Sequence, residues 1–489
     1  MPDLSKQRSI KFNSYIIAAC ILASRVLGLV REIILARLLG TTVYSDALKA
    51  AIRIPNIIQN LLGEGVLSAS LIPVYARLKS EGRGEEAARA AKEVGIVLFY
   101  TALLLAIVGA SLSPYFANLF AGGFSAEGKQ LTAELMVFMF PATCLLVLSA
   151  WCLGILNSHR HFLLSYSAPI LWNLTIIAGL LMFATNLKLH EITILAASLF
   201  LIGSFFQFFV QFPKTLSLIK KAKVSFFLTK ISAPSKEIGR NFPPVVLGKG
   251  VIQISSYLDT IIASFLAPGS LSALMYAQII YITPISVFGL SNAAASLPEL
   301  SEQNPRNASD ESKSKIKLEL TNTLERVLLY CLPTILVLWF LGSEIISLIL
   351  ESGKFNHQST LIVYYTLTTF LFGLVPSIWS RIITSLLYAA NAQKAVSKIA
   401  IFRLLCSSIL SVTFCFYLFP QLNYANEFLV GGIGFASSIT SYFELALLNY
   451  SARKTTNINP LKEVFRPKNN SIKLLVFFLS LFALLEYIL

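Results

Sequence analysis

The stretch Ser24-Arg25-Val26-Leu27-Gly28-Leu29-Val30-Arg31-Glu32 places two arginines and a glutamate inside an apolar segment covering about residues 13–39. A segment of that length can cross a bilayer as a helix, which takes roughly 20 residues. A charge at bilayer depth costs about 2.5–3.5 kcal/mol on insertion scales, so it faces a cavity or a partner rather than lipid. The next apolar segment adds Lys49 and Arg53, and Lys249, Arg381 and Arg403 interrupt apolar sequence further on. Clustered cations with few matching anions point to a cavity for something negatively charged. Arg37, close to Gly40, reads as a helix-end charge.

The whole chain agrees with that reading. Of 489 residues, 55% are hydrophobic and only 13% charged, with mean hydropathy +0.69, whereas soluble domains carry about 25% charged residues. Apolar runs recur at about 13–39, 45–76, 93–121, 130–156, 162–185, 190–212, 241–266, 271–299, 327–350, 358–391, 396–418, 429–451 and 471–488. The expectation is an all-α polytopic membrane protein of about thirteen spans. The second run is interrupted by Pro55 and by Gly63-Glu64-Gly65, which predicts a break or kink.

The net charge of +15 does not signal nucleic acid, because the cations sit in alternate loops. Seven basic residues lie at 214–240, five each at 77–92 and 306–326, and six at 453–473, while the intervening loops hold only Lys129, Lys188 and Lys354. This is the positive-inside pattern, and it puts the N-terminus in the cytoplasm. The expected organisation is an N-terminal six-helix lobe (1–212), a basic cytoplasmic linker (213–240), a C-terminal six-helix lobe (241–455), and a loop with one terminal transmembrane helix (456–489). A weak echo between Glu32–Gly40 and Asp259–Ala267, each followed by a helix with a proline (Pro55, Pro284), suggests related halves. The first apolar segment contains arginines and lacks a small-residue cleavage site, so it reads as a retained helix. The six cysteines fall in apolar segments without metal-ligand spacing and read as small hydrophobes.

Arg25 and Arg31 are about 120° apart on an ideal helix. Both can border a broad cavity, the more so if Gly28 allows a bend. Arginine suits phosphate because its planar fork donates paired hydrogen bonds and stays charged in dry surroundings. The alternative is internal pairing, with Glu32, Asp46 or Glu64 as counter-ions, and the two states can alternate during transport. Lys49 and Arg53 share one helix face; Arg53 precedes Ile54-Pro55-Asn56, where a break would expose backbone donors, or the pair snorkels to an interface. Lys249, in Gly248-Lys249-Gly250, either faces the cavity or reaches the interface. Arg381 lies well inside Val375–Ala390, and Arg403, near Lys398, reads as snorkelling. Asp259 is either a cation ligand or a structural partner. No metal-ligand His spacing, Walker A loop or catalytic triad occurs, so the chain does not read as an enzyme.

These residues carry a resemblance. Ser24-Arg25-Val26-Leu27-Gly28 with Arg31, then Ser45-Asp46-Ala47, Ile54-Pro55-Asn56, Glu64-Gly65, Ser70-Leu71-Ile72-Pro73 and Ile155-Leu156-Asn157 resemble the MurJ/MviN family of lipid II flippases. Asp259-Thr260-Ile261-Ile262-Ala263-Ser264, Leu297-Pro298 and Gly353-Lys354-Phe355 extend the match, which covers about residues 10–455. The family belongs to the multidrug/oligosaccharidyl-lipid/polysaccharide exporter superfamily. The resemblance implies a V-shaped pair of six-helix lobes in the bacterial inner membrane, moving an undecaprenyl-pyrophosphate-linked peptidoglycan precursor outward by alternating access. It implies substrate binding by Arg25, Arg31, Asp46, Glu64 and Arg381; the residues themselves add Lys49, Arg53, Gln59 and Lys249 as further candidates and Gly28 and Pro55 as hinges.

Two family arginines are replaced, by Gln59 and by Ile279; Arg53 and Lys249 are candidates to restore that charge. Some relatives bind sodium through an aspartate at the Asp259 position and an Asn/Asp pair in the helix after Lys398, yet residues 399–419 contain neither. No cofactor is expected, and drive would come from membrane potential or a cation. Alternatives are a flippase for another polyprenyl-pyrophosphate glycan, a small-molecule antiporter of the superfamily, and a non-transporting scaffold. The expected partners are the lipid-linked substrate and the phospholipid bilayer; oligomeric state is left open.

Overall fold

A computed structural model describes residues 4–220, 231–286, 305–306 and 309–465, apart from the side chains of 4–14, 54–55, 64–66, 68–69, 244–253, 255–256 and 463. The expected terminal span at 471–488 and the later part of the span at 271–299 lie outside the described residues. So do the side chains of Pro55, Glu64 and Lys249. Among the described residues every regular element is helical, the sole β feature being an isolated Ser352–Phe355 bridge. Seven described helices are long and apolar enough to cross a membrane, and a pair bent by 49° makes an eighth.

The chain divides into two compact units. The first comprises Met1–Gln253 with Ser352–Phe355, and the second Ile254–Glu351 with Asn356–Leu489. The helices that lie wholly in the first are α1 (Leu4–Leu39), α2 (Val43–Leu62), α3 (Glu64–Ser80), α4 (Gly84–Ser111), α5 (Ser113–Phe120), α6 (Ala126–Ser158), α7 (Phe162–Phe183) and α8 (Leu189–Ile219). Helix α9 (Ala233–Ser264) carries the chain across the division. In the second lie α10 (Ser270–Pro284), α11 (Asp310–Phe340), α12 (Gly342–Leu350), α13 (His357–Leu371), α14 (Leu374–Ala389), α15 (Gln393–Thr413, prolonged by a π turn at Phe414–Leu418), α16 (Gly431–Thr456) and α17 (Pro460–Val464).

Several single apolar runs of the sequence are built as two helices: 45–76 as α2 and α3, 93–121 as α4 and α5, 358–391 as α13 and α14. In the first of these the helix continues through residue 55, and the break comes at Gly63, whose N–H still donates to Gln59 O at 2.7 Å. A Cβ at Gly63 would collide with that same carbonyl, which is why the turn needs glycine there.

Helix α6 is the axis of the first unit and packs against α2, α3, α4, α5 and α8. Its apolar window is 78% buried, against 17% for α15, so α6 is core and α15 leaves most of its side chains exposed. Leu35, Leu39, Leu48, Leu67, Met136 and Phe140 fill the core around it. Polar side chains here repair backbone defects: Pro169 has no N–H to offer Ser165 O, and Gln211 Nε2 of α8 reaches that carbonyl at 3.5 Å. In the second unit Leu324, Val327, Leu374, Ile378, Ile382 and Leu448 bring α11, α14 and α16 together.

Three contacts outside the apolar layer fix chain ends. Glu93 of α4, 1% exposed, accepts from Ser232 N (2.9 Å), Ser232 Oγ and Ser235 Oγ (2.7 Å each), and pairs with Arg89 Nε at 2.9 Å. The cluster caps the start of α9. At the end of α6, His159 Nδ1 accepts from Lys79 Nζ at 3.1 Å, leaving Nε2–H to bond Tyr75 Oη at 2.8 Å. Burial, then the positive charges of Lys79, His161 and Lys214, hold the His159 imidazole below its ordinary pKa. At the end of α1, Lys354 N donates to Arg37 O at 2.9 Å, and Gly40 and Gly353 both adopt φ of +60°.

Candidate functional site

Four helices of the first unit meet around Glu32. Its Oε1 accepts from Arg31 Nη2 at 2.8 Å, and its Oε2 is ion-paired with the Lys49 ammonium of α2. Arg31 Nη1 donates to Asn173 Oδ1 of α7 at 3.1 Å. The guanidinium also lies 4.8 Å from the ring centre of Trp172 and 5.2 Å from that of Phe200 on α8. Such cation–π contacts contribute roughly 0.5–2 kcal/mol each, more when water is excluded.

The aromatic wall is itself fixed. Trp172 Nε1 donates to Phe200 O at 3.2 Å, and a Cβ on Gly203 would come within 2.6 Å of the indole, so α8 must present glycine there. Asn173 Nδ2 bonds Pro169 O at 3.1 Å and Ser24 O at 3.4 Å, so one amide both orients Arg31 and grips α1. Burying charge in a membrane protein requires this density of partners. One donor remains over: Arg31 Nε is buried and makes no hydrogen bond among the described residues.

Asp46 and Lys49 are each only 2% exposed, while Arg53 and Gln59 are half-buried along the same helix. Arg25 is exposed on α1 and has no ion pair among the described residues. The structure therefore joins Arg31 to Lys49 through Glu32, and leaves Arg25 apart on the same helix. Helix α1 is unbroken through Gly28, where a Cβ would meet Asn173 Oδ1 at an ordinary 4.0 Å. Lys249 and Glu64 are placed by backbone alone, in α9 and at the first position of α3.

The second unit carries its own polar seam. Tyr281 Oη of α10 lies 3.1 Å from Ser377 Oγ of α14, which lies 2.9 Å from Ser441 Oγ of α16. One turn further along those helices stand Arg381 and Glu444. Arg403 Nη1 of α15 donates to Glu444 Oε2 at 2.7 Å. Arg381 is exposed and interacts electrostatically with Arg403, Glu444 and Tyr281. Arg403, one-third exposed, thus has an ion-pair partner in Glu444.

Asp259, in α9, is half-buried and interacts with the Cys415 thiol in the π turn.

Sequence reading missed Asn173, Trp172, Phe200 and Glu444. Asn173 and Glu444 had left a trace, as polar residues inside apolar runs; the two aromatics had left none.

Comparison with known proteins adds the following. The family model described as "Lipid II flippase MurJ" matches residues 35–488. A "Probable lipid II flippase MurJ" of Helicobacter pylori (strain ATCC 700392 / 26695) is 31% identical over 431 residues, covering 84% of this chain and 88% of the relative. One from Buchnera aphidicola subsp. Acyrthosiphon pisum is 28% identical over 434 residues, covering 88% and 81%. Among solved structures, a lipid II flippase MurJ in an inward closed conformation superposes with TM-score 0.73 at 23% identity, covering 97% of this chain and 98% of the other. An inward-facing multidrug transporter of the MATE family superposes with TM-score 0.68 at 16% identity, covering 89% and 96%.

Proposed function

The chain belongs to the lipid II flippase MurJ family, and from that premise we propose that it carries lipid II from the inner to the outer leaflet of the bacterial inner membrane. The observation that carries this reading within the molecule is the Arg31–Glu32–Lys49 cluster with its one unfilled arginine donor. Glu32 is an internal counter-ion. A pyrophosphate brings more charge and more acceptor oxygens than one carboxylate, so it competes for Arg31 and fills Nε as well. Asn173, Trp172 and Phe200 hold the guanidinium in place while its anion changes. Arg25, exposed on the same helix, supplies a first electrostatic contact. Asp46, Glu64, Arg53, Gln59 and Lys249 complete the proposed lining in the first unit, and Arg381 is a further candidate in the second. The step is exchange of ion pairs with no covalent chemistry, and membrane potential is the proposed drive.

The proposed topology has thirteen spans, with a cytoplasmic N-terminus and basic loops inside, grouped as two six-helix lobes and a terminal helix. A second reading rests on Gln59 and Ile279, where the family resemblance leads one to expect arginines: the cargo is then another polyprenyl-pyrophosphate glycan. The test is to replace a bacterium's own lipid II flippase with this chain and score outer-leaflet lipid II in intact cells. Arg25→Ala and Arg31→Ala run alongside at matched expression. Transport by the parent and its loss in both variants is the expected result. A well-inserted parent that moves no lipid II shifts the reading to the other glycan.

A further inference from the structure

The two units repeat one electrostatic device on unrelated residues. In the first, a single carboxylate, Glu32, holds Arg31 and Lys49. In the second, a single carboxylate, Glu444, bonds Arg403 at 2.7 Å and lies within the field of Arg381. We propose that Arg381 and Arg403 form a second anion site, in which Glu444 is a resident counter-ion that an incoming phosphate group displaces.

Geometry and charge support this. Helix α16 packs against both α14 and α15, so Glu444 stands on the helix common to the two arginines. Its contact with Arg403 uses one guanidinium nitrogen, short of the paired bonds that a planar fork can make. Arg381, inside a membrane-crossing segment and exposed, makes no ion pair among the described residues. Among the described residues, two cations against one carboxylate leave an excess positive charge, which a bilayer penalises unless an anion visits. The seam Tyr281–Ser377–Ser441 pins α10, α14 and α16 to one another a turn away, so the site is braced by buried hydroxyls. A phosphate drawn to this pair would take the place that Glu444 holds on Arg403.

The ligand chemistry is a phosphate or diphosphate ester. Its source is either the head of the lipid-linked substrate, in which case the inference rests on the function proposed above, or an anionic phospholipid. The two are separated by measuring binding of farnesyl diphosphate to the purified full chain in nanodiscs of phosphatidylcholine, and again in nanodiscs containing phosphatidylglycerol. Measurements are made on the parent and in an Arg31→Ala background, which removes the first unit's contribution. Arg381→Gln and Arg403→Gln should each weaken binding about tenfold, the effect of one lost charged contact, while Glu444→Gln strengthens it several-fold. Weaker binding in phosphatidylglycerol assigns the site to a bilayer lipid, and unchanged binding assigns it to the substrate head.

The opposite signs of Glu444→Gln and Arg403→Gln are the decisive readout, because a purely structural salt bridge would make both variants fail together. Parallel losses, or no change in any variant at preserved thermal midpoint, would overturn the site. Leaflet transport of lipid II is scored separately. Transport without opposite signs sinks the second site alone; opposite signs without transport sink the proposed cargo alone.

Discussion

Arg31 and Asn173 hold one another across 142 positions of the chain, through a 3.1 Å bond from the guanidinium to the amide oxygen. The same amide reaches back to Ser24 O on the arginine's own helix. Asn173 is therefore a positioning residue for the cation on which the proposed substrate site depends. Asn173→Ala leaves Arg31 short of an acceptor, a loss of about 1–3 kcal/mol. Lipid II transport should fall roughly tenfold or more while expression holds. Asn173→Asp should be worse, because a second carboxylate would compete with the substrate for Arg31. Equal transport in parent and both variants would remove Asn173 from the site.

Glu32 neutralises a lysine that is almost wholly enclosed. Glu32→Gln should destabilise the protein by roughly 3 kcal/mol, the scale for breaking a buried ion pair from one side. Adding Lys49→Met should recover much of that loss. Thermal unfolding in detergent compares the parent with the single and double variants, and a double variant as unstable as the single one would deny the coupling.

Gly40 and Gly353 interlock backbone to backbone. Each has φ of +60°, a Cβ on Gly40 would strike Lys354 O, and one on Gly353 would strike Arg37 O. Gly40→Ala or Gly353→Ala should each cost at least about 1–2 kcal/mol from the left-handed conformation alone, with the collision added. A lowered thermal midpoint in both variants is expected; midpoints matching the parent's would mean that the turn has room to move.

His159 is held below its ordinary pKa by burial and by nearby cations. The unfolded chain therefore binds this proton more readily than the folded protein, and stability rises with pH where the two differ. The contribution is fully present above about pH 6.5, the unfolded value, and is lost as pH falls toward the lower folded value. His159→Gln should flatten the slope of thermal midpoint against pH below 6.5. An unchanged slope would assign it to another group.

Helix content and the cation-rich first segments were legible from residues alone, because a bilayer leaves few ways to satisfy a backbone and makes each intramembrane charge conspicuous. Which charges pair was not legible. Arg25 and Arg31 look alike in sequence, yet one is exposed and the other is enclosed by Trp172, Phe200 and Asn173. Those partners come from α7 and α8, and only packing decides which residues of distant helices meet. Pro55 and Gly63 were equal candidates for the break in the second run. The helix continues through residue 55 and ends at Gly63, the position that no side chain could occupy.

The carboxylate of Glu93 has a bearing on how this chain can change over time. It fixes Ser232 and Ser235, and hence the first residue of α9, by bonds that do not involve the sequence just before them. The register of a long helix is thereby set by its own landing point. A change that removes Glu93, Ser232 or Ser235 is therefore expected to free α9 to turn about its own axis, carrying Tyr257 and Asp259 to a new face.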